Sequence, residues 1–193
     1  MTPTDPEALK VVFRVLEILD RIGIPYHLGG SYASAIHGIP RQTHDVDLVV
    51  DLSKDRVHDL ARALAGEFYV DEQAVGRAVD ERGSCNLVHL VTGVKVDLFV
   101  KGVSAFDLAE FERRVPVLLG EETPREVFVK SAEDTLLRKL LGYRLGGEVS
   151  DRQWQDVRGI ISVQADRLDL AYINTWADRL SIRDLLDRLL LER

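Results

Sequence analysis

Apolar residues recur along this chain with two different periods, and the change of period divides it. Leu9, Val12, Phe13, Leu16 and Leu19 fall on one face at helical spacing, so a first helix is expected over residues 6–21. Asp5 ahead of Pro6 is its start signal and Gly23 its stop. A short strand is expected at 26–28, then a short helix over 31–37 with Ser31 as its N-cap, then a loop over 38–43. Val46, Leu48 and Val50 recur at every second position and share one face, with Asp45 and Asp47 on the other, the pattern of a strand with one buried face. Ser53 is expected to cap a helix running to Leu64, with Val57, Leu60, Ala61 and Leu64 inward. Residues 68–83 fit neither period. The runs 86–91 and 94–100 read as a hairpin turned at Thr92-Gly93. A short helix over 107–114 and strands at 115–119 and 126–129 complete this part.

From Ser131 the spacing is helical throughout. Ser131 with Asp134 makes a capping-box-like start and Ser150 a second cap. Three or four helices are expected, broken at Gly146-Gly147 and near Asp166. A mixed sheet followed by a helical bundle is an α+β architecture, divided at residue 130.

Composition narrows the function. The chain has 193 residues, 46% of them hydrophobic, enough for a packed core. Its formal charge of −7 argues against a general electrostatic nucleic-acid binder, which needs an excess of lysine and arginine. A single cysteine, Cys85, excludes an intrachain disulfide, and it reads as a core residue. The N-terminal residues are polar and acidic, and no apolar run is long enough for a bilayer, so a cytoplasmic location and no membrane partner are expected. Trp154 and Trp176 read as helix-packing residues, with the edge of a base-stacking pocket as the alternative for Trp154.

The chemistry concentrates in two places. Asp45 and Asp47 alternate at the mouth of the apolar strand, so they share the face opposite Val46, Leu48 and Val50. Asp97 stands the same way in Val94-Lys95-Val96-Asp97-Leu98-Phe99-Val100. If the two strands are neighbours, three carboxylates meet on one open face, and a divalent cation relieves their repulsion. The alternative for Asp97 is a surface carboxylate paired with Lys95 or Lys101. Upstream, Gly29-Gly30-Ser31 joins a strand to a helix. Glycines let backbone N–H groups approach a ligand, and a helix N-terminus favours phosphate. Arg41 and Thr43 lie in the loop feeding the carboxylate strand; Arg41 offers a donor fork to phosphate or is a solvated loop arginine.

Together Gly29-Gly30-Ser31, the spacer ending Arg41-Gln42-Thr43-His44, Asp45-Val46-Asp47 and Asp97 resemble the signature of the DNA polymerase beta-type nucleotidyltransferase superfamily. Residues 131–140 resemble the helix that carries a triphosphate-contacting lysine, here Lys139, in the AbiEii-type toxin branch and its small stand-alone relatives. Residues 152–157 resemble that branch's last motif, with Asp156 as its aspartate; Gln155-Asp156 stands where the branch usually carries lysine-aspartate.

The resemblance implies a catalytic domain over 1–130 and a helical domain over 131–193. It implies an ATP- or other NTP-dependent transfer of NMP to an acceptor hydroxyl, with pyrophosphate released. Asp45, Asp47 and Asp97 would be catalytic and hold two Mg²⁺ ions, with Mn²⁺ an accepted substitute. Gly29, Gly30, Ser31, Arg41, Thr43, Lys139 and Asp156 would bind the nucleotide. The acceptor would be tRNA, another RNA, a protein or a small molecule, with an antitoxin as a partner in a toxin–antitoxin pair. The alternative from a different class is a non-catalytic nucleotide-binding or regulatory module, which would not need Asp97.

Overall fold

The computed structural model describes residues 6–41, 43, 45–120 and 123–192. Asp5, Gln42 and His44, named above, lie outside the described residues. The first helix, α1 (Pro6–Ile22), buries Val12, Val15, Leu16 and Leu19. It ends at Gly23, whose φ of 68° turns the chain back toward the sheet.

Strand β1 (Tyr26–Leu28) leads into α2 (Gly30–His37), and β2 (Val46–Val50) follows. Ser31 was expected at the N-cap, but Gly29 holds that position and makes no side-chain cap. The reason is that Ser31 Oγ is engaged elsewhere, accepting a hydrogen bond from Arg41. Ser53 opens a single 3₁₀ turn (Lys54–Arg56) before α3 (Val57–Leu64), with Val57, Leu60, Ala61 and Leu64 buried as expected.

The unassigned stretch forms β3 (Phe68–Tyr69) and α4 (Glu72–Glu81), the latter capped by Asp71, whose carboxylate accepts from the Gln73 and Ala74 amides. Strands β4 (Ser84–His89) and β5 (Lys95–Val100) make the expected antiparallel hairpin. After them come α5 (Ala105–Glu112), capped by Ser104 in a full capping box with Asp107, and β6 (Val115–Leu119) and β7 (Arg125–Val129).

The strands form one mixed sheet in the order β3-β4-β5-β2-β1-β7-β6. β2 runs parallel to β5 and antiparallel to β1, so the carboxylate strand is central. Val46, Leu48, Val50, Val96, Leu98 and Val100 are buried on one face with α1, α3 and α4 residues in a single apolar cluster. Each such side chain contributes about 1.5–3 kcal/mol on burial.

Helices α6 (Ala132–Leu145), α7 (Asp151–Gln164), α8 (Leu170–Arg179) and α9 (Arg183–Leu191) build a second cluster around Leu136, Leu140, Trp154 and Ile160, joined by Phe106 of α5. Trp154 and Trp176 both pack inside it, and Cys85 is buried in the first cluster. Helix α2 packs against α6 and α7 and so ties the glycine turn to the helical part. That contact is close. A Cβ at Gly38 would lie 2.9 Å from the Ile160 amide, and one at Gly159 would lie 3.1 Å from the Ile39 amide. Gly38 precedes Arg41 and Gly159 follows Asp156 by three residues each, so this crossing brings those two side chains together.

Candidate active site

The parallel pairing of β2 and β5 places Asp47 directly beside Asp97, and Asn86 of β4 lies across from Asp97 on its other side. The expected meeting of the two carboxylate strands is therefore direct. Asp47 is half-buried, and its carboxyl is pushed up from the ordinary range by burial first and by Asp97 second. The Ser31 amide, facing it from the start of α2, and Lys139 work in the opposite direction. Asp45 is exposed just ahead of the strand. Thr43 is buried, and its hydroxyl donates to the Asp45 carbonyl at 3.2 Å, so it shapes the loop that delivers Asp45.

Asp97 has a basic neighbour. Lys95 Nζ lies 2.9 Å from Asp97 Oδ1, whereas Lys101 pairs with Asp51. Among the described residues, no three His, Cys, Asp or Glu side chains are gathered closely enough to hold a metal ion as they stand. The chemistry of the donors nevertheless fits a hard divalent cation. Asp45, Asp47 and Asp97 offer oxygen ligands only, and two of them are held laterally adjacent against their mutual repulsion.

The glycine turn touches this pair. Gly29 N–H donates to the Asp47 carbonyl at 2.9 Å, locking β1 to β2 at the carboxylate. Gly30 sits at φ 50°, and a Cβ there would lie 1.6 Å from Asp47 Oδ2. No residue with a side chain fits without moving the carboxylate, which explains the second glycine of the motif.

A second constellation lies on the other side of Ser31. Arg41 donates to both oxygens of Asp156, through Nε at 2.8 Å and Nη2 at 3.0 Å, and through Nη2 to Ser31 Oγ at 2.8 Å. Lys139 donates to Asp156 Oδ2 at 2.7 Å. Burial alone raises the Asp156 carboxyl, but the hydrogen bonds and charges of Arg41 and Lys139 outweigh it and hold Asp156 below its ordinary value. One buried carboxylate thus fixes two cations at the start of α2, 115 and 17 residues away in sequence. Ser31, Arg41, Lys139 and Asp156 are brought together; the Thr43 hydroxyl is bonded to the Asp45 carbonyl instead.

A cleft of ≈ 730 Å³ opens beside these groups, lined by Gly30, Ser31, Asp47 and Lys139 together with Phe99 and Arg138. Its wall holds a charged network that the hydrophobic pattern does not reveal. Lys130, buried, lies 3.1 Å from Glu110 Oε2; Arg138 reaches Glu110 at 2.8 Å and Asp107 at 2.9 Å. Burial lowers the Lys130 ammonium, partly offset by Glu110. The only trace of this network in sequence is a lysine, Lys130, between the strand run and the Ser131 cap.

No helix among the described residues is long and apolar enough to cross a membrane. No family model matches the chain, and no curated protein does at a significant level. Solved structures do. The solution structure of the antibiotic-resistance factor ANT(2'')-Ia superposes with a TM-score of 0.58 at 11% identity, over 98% of this chain and 100% of that one. The same factor in complex with adenylyl-2''-tobramycin gives 0.54 at 12% identity, over 90% and 97%. An antigenic nucleotidyltransferase-like protein from Paracoccidioides brasiliensis gives 0.55 at 22% identity, over 97% and 94%. With its α+β layout and a seven-stranded mixed sheet, the chain has the nucleotidyltransferase fold.

Proposed function

We propose that this protein is a Mg²⁺-dependent nucleotidyltransferase that moves an NMP from an NTP to an acceptor hydroxyl and releases pyrophosphate. The observation that carries the reading is the side-by-side Asp47 and Asp97, with Asp47 pressed against the Gly30–Ser31 turn whose other side gathers Arg41 and Lys139. A carboxylate for cations and a cationic helix start for phosphate, with Asp47, Ser31 and Lys139 lining one cleft, suit a metal-bound triphosphate.

Asp45, Asp47 and Asp97 would hold the cations, which supply charge neutralisation at the α-phosphate and a lowered pKa for the attacking hydroxyl. Gly29, Gly30 and Ser31 shape the backbone against the β- and γ-phosphates. Arg41 and Lys139 face the charge that develops on the leaving pyrophosphate. Asp156 is a positioning residue that keeps both cations at that place. Thr43 sets the loop that delivers Asp45.

The acceptor reading rests on two supports. ANT(2'')-Ia is found in complex with adenylyl-2''-tobramycin, which favours a small-molecule hydroxyl. The AbiEii-type resemblance favours RNA or protein with an antitoxin partner, and the charge of −7 leaves a large RNA dependent on basic surface from that partner. The test is label transfer. Each α-labelled NTP is incubated with Mg²⁺ or Mn²⁺ and, separately, with cellular RNA, protein and small-molecule extract, beside an Asp45→Ala/Asp47→Ala control. Label on one acceptor class, only with intact aspartates, is the expected outcome. Metal-dependent NTP binding without transfer to any class would favour a binding module instead.

A further inference from the structure

Resting on the metal-binding reading of the three aspartates, we propose that Lys95 is a resident counter-cation of the carboxylate cluster and competes with a free divalent ion for Asp97. Lys95 and Asp97 are two residues apart on β5 and so share one face. In the parallel register Val46 pairs with Val96 and Asp47 with Asp97, so Lys95 stands level with Asp45. The result is a four-cornered patch with three carboxylates and one ammonium. The ammonium lies 2.9 Å from Asp97 Oδ1 and also in the field of Asp45 and Asp47. Asp97 Oδ1 is buried and has no aligned hydrogen-bond donor, so the ion pair is what compensates it.

Three carboxylates on one sheet face, without a protein cation beside them, would attract divalent ions more strongly than they do with Lys95 in place. With Lys95 in place the cluster carries one negative charge fewer, and the oxygen an incoming ion needs is already engaged. A free ion must displace the ammonium. A triphosphate carrying the ion would bring further oxygen ligands for it and would itself be held by Arg41 and Lys139. The pairing therefore favours loading of the metal–nucleotide complex over loading of the bare metal. Lys95 is about half exposed on a flexible stem, so it can be displaced without repacking the core.

The experiment is Mn²⁺ binding to the full chain without nucleotide, read from the electron paramagnetic resonance signal of the free ion. Wild type, Lys95→Met, Lys95→Arg, Asp97→Asn and Lys95→Met/Asp97→Asn are compared, with thermal melts confirming the fold. Lys95→Met should bind Mn²⁺ about fivefold tighter than wild type, and Lys95→Arg within about twofold of it, as expected for a partly exposed pair. In the Asp97→Asn background the gain from Lys95→Met should vanish. A Lys95→Met protein that binds no tighter than wild type overturns the proposal. So does a gain that persists without Asp97, because the effect is then a general field. Mn²⁺ binding that is absent from both wild type and Lys95→Met, or that Asp45→Asn/Asp47→Asn leaves unchanged, overturns the metal reading itself.

Discussion

Replacing Gly30 by alanine tests the closest contact in the site. The added Cβ would lie 1.6 Å from Asp47 Oδ2 and 2.4 Å from its Cγ, and the backbone there is left-handed at φ 50°. The left-handed conformation costs an alanine about 1–2 kcal/mol. Pushing the carboxylate aside in a packed region adds about 1–3 kcal/mol. A central loss of about 3 kcal/mol corresponds to roughly 6–12 °C in melting temperature for a chain of this size. Gly29 is the internal control. It has φ −128°, and the nearest atoms to its added Cβ are 3.8 Å away. Gly29→Ala should therefore stay within about 1 kcal/mol of wild type, the scale of an N-cap change.

The two contributions at Gly30 separate in a double-mutant cycle. Asp47→Ala removes the carboxylate but leaves its Cβ 2.8 Å from the added methyl, so Gly30→Ala in that background should cost the backbone part and a reduced clash, leaving a coupling of about 1–2 kcal/mol. Thermal and urea unfolding of the four proteins measure it. A Gly30→Ala protein within about 0.5 kcal/mol of wild type, a figure typical of surface changes, would refute the reasoning. Equal cost in both backgrounds would do the same.

Asp156→Asn should destabilise by about 3 kcal/mol at neutral pH, because it strips a buried carboxylate from Arg41 and Lys139. The Asp156 carboxyl is held below its ordinary value in the fold, so its contribution is full above the unfolded carboxylate pKa and is lost as pH falls through the folded one. The gap between wild type and Asp156→Asn should thus close on acidification, followed by urea unfolding against pH. Glu110→Gln should cost about 3–5 kcal/mol, since it leaves Lys130 buried without its carboxylate. Lys130→Met should cost less, because Glu110 keeps Arg138; a reversed order in urea midpoints would contradict the assigned network.

Much of this was readable from residue pattern. The alternation of Val46, Leu48 and Val50 against Asp45 and Asp47 placed the carboxylates on the face away from the core, and the matching run around Asp97 placed its partner. Helix starts at Ser131 and Ser150 were legible because cap chemistry is local; both hydroxyls accept the amides that capping demands. The cap at Ser31 was not, because Arg41 claims its hydroxyl, and local pattern carries no information about a partner ten residues on. Helix α4 carries no clear helical period although Asp71 caps it, since its buried face is only Val75, Ala78 and Val79. Asp156 gained its place only through the crossing of α2 with α7 at Gly38 and Gly159. The Lys130–Glu110–Arg138 network is likewise tertiary, joining residues separated by 20 or more positions that share no period.

Whether Asp97 completes a catalytic centre or merely decorates a strand is decided by removing its carboxylate. Asp97→Ala and wild type are measured side by side for NTP affinity and for transfer of α-label to the acceptor fraction. Transfer should fall about 10³-fold, the scale for losing a group that assists proton removal, while NTP affinity stays within about threefold. Transfer that survives Asp97→Ala at near wild-type rate would contradict the catalytic role.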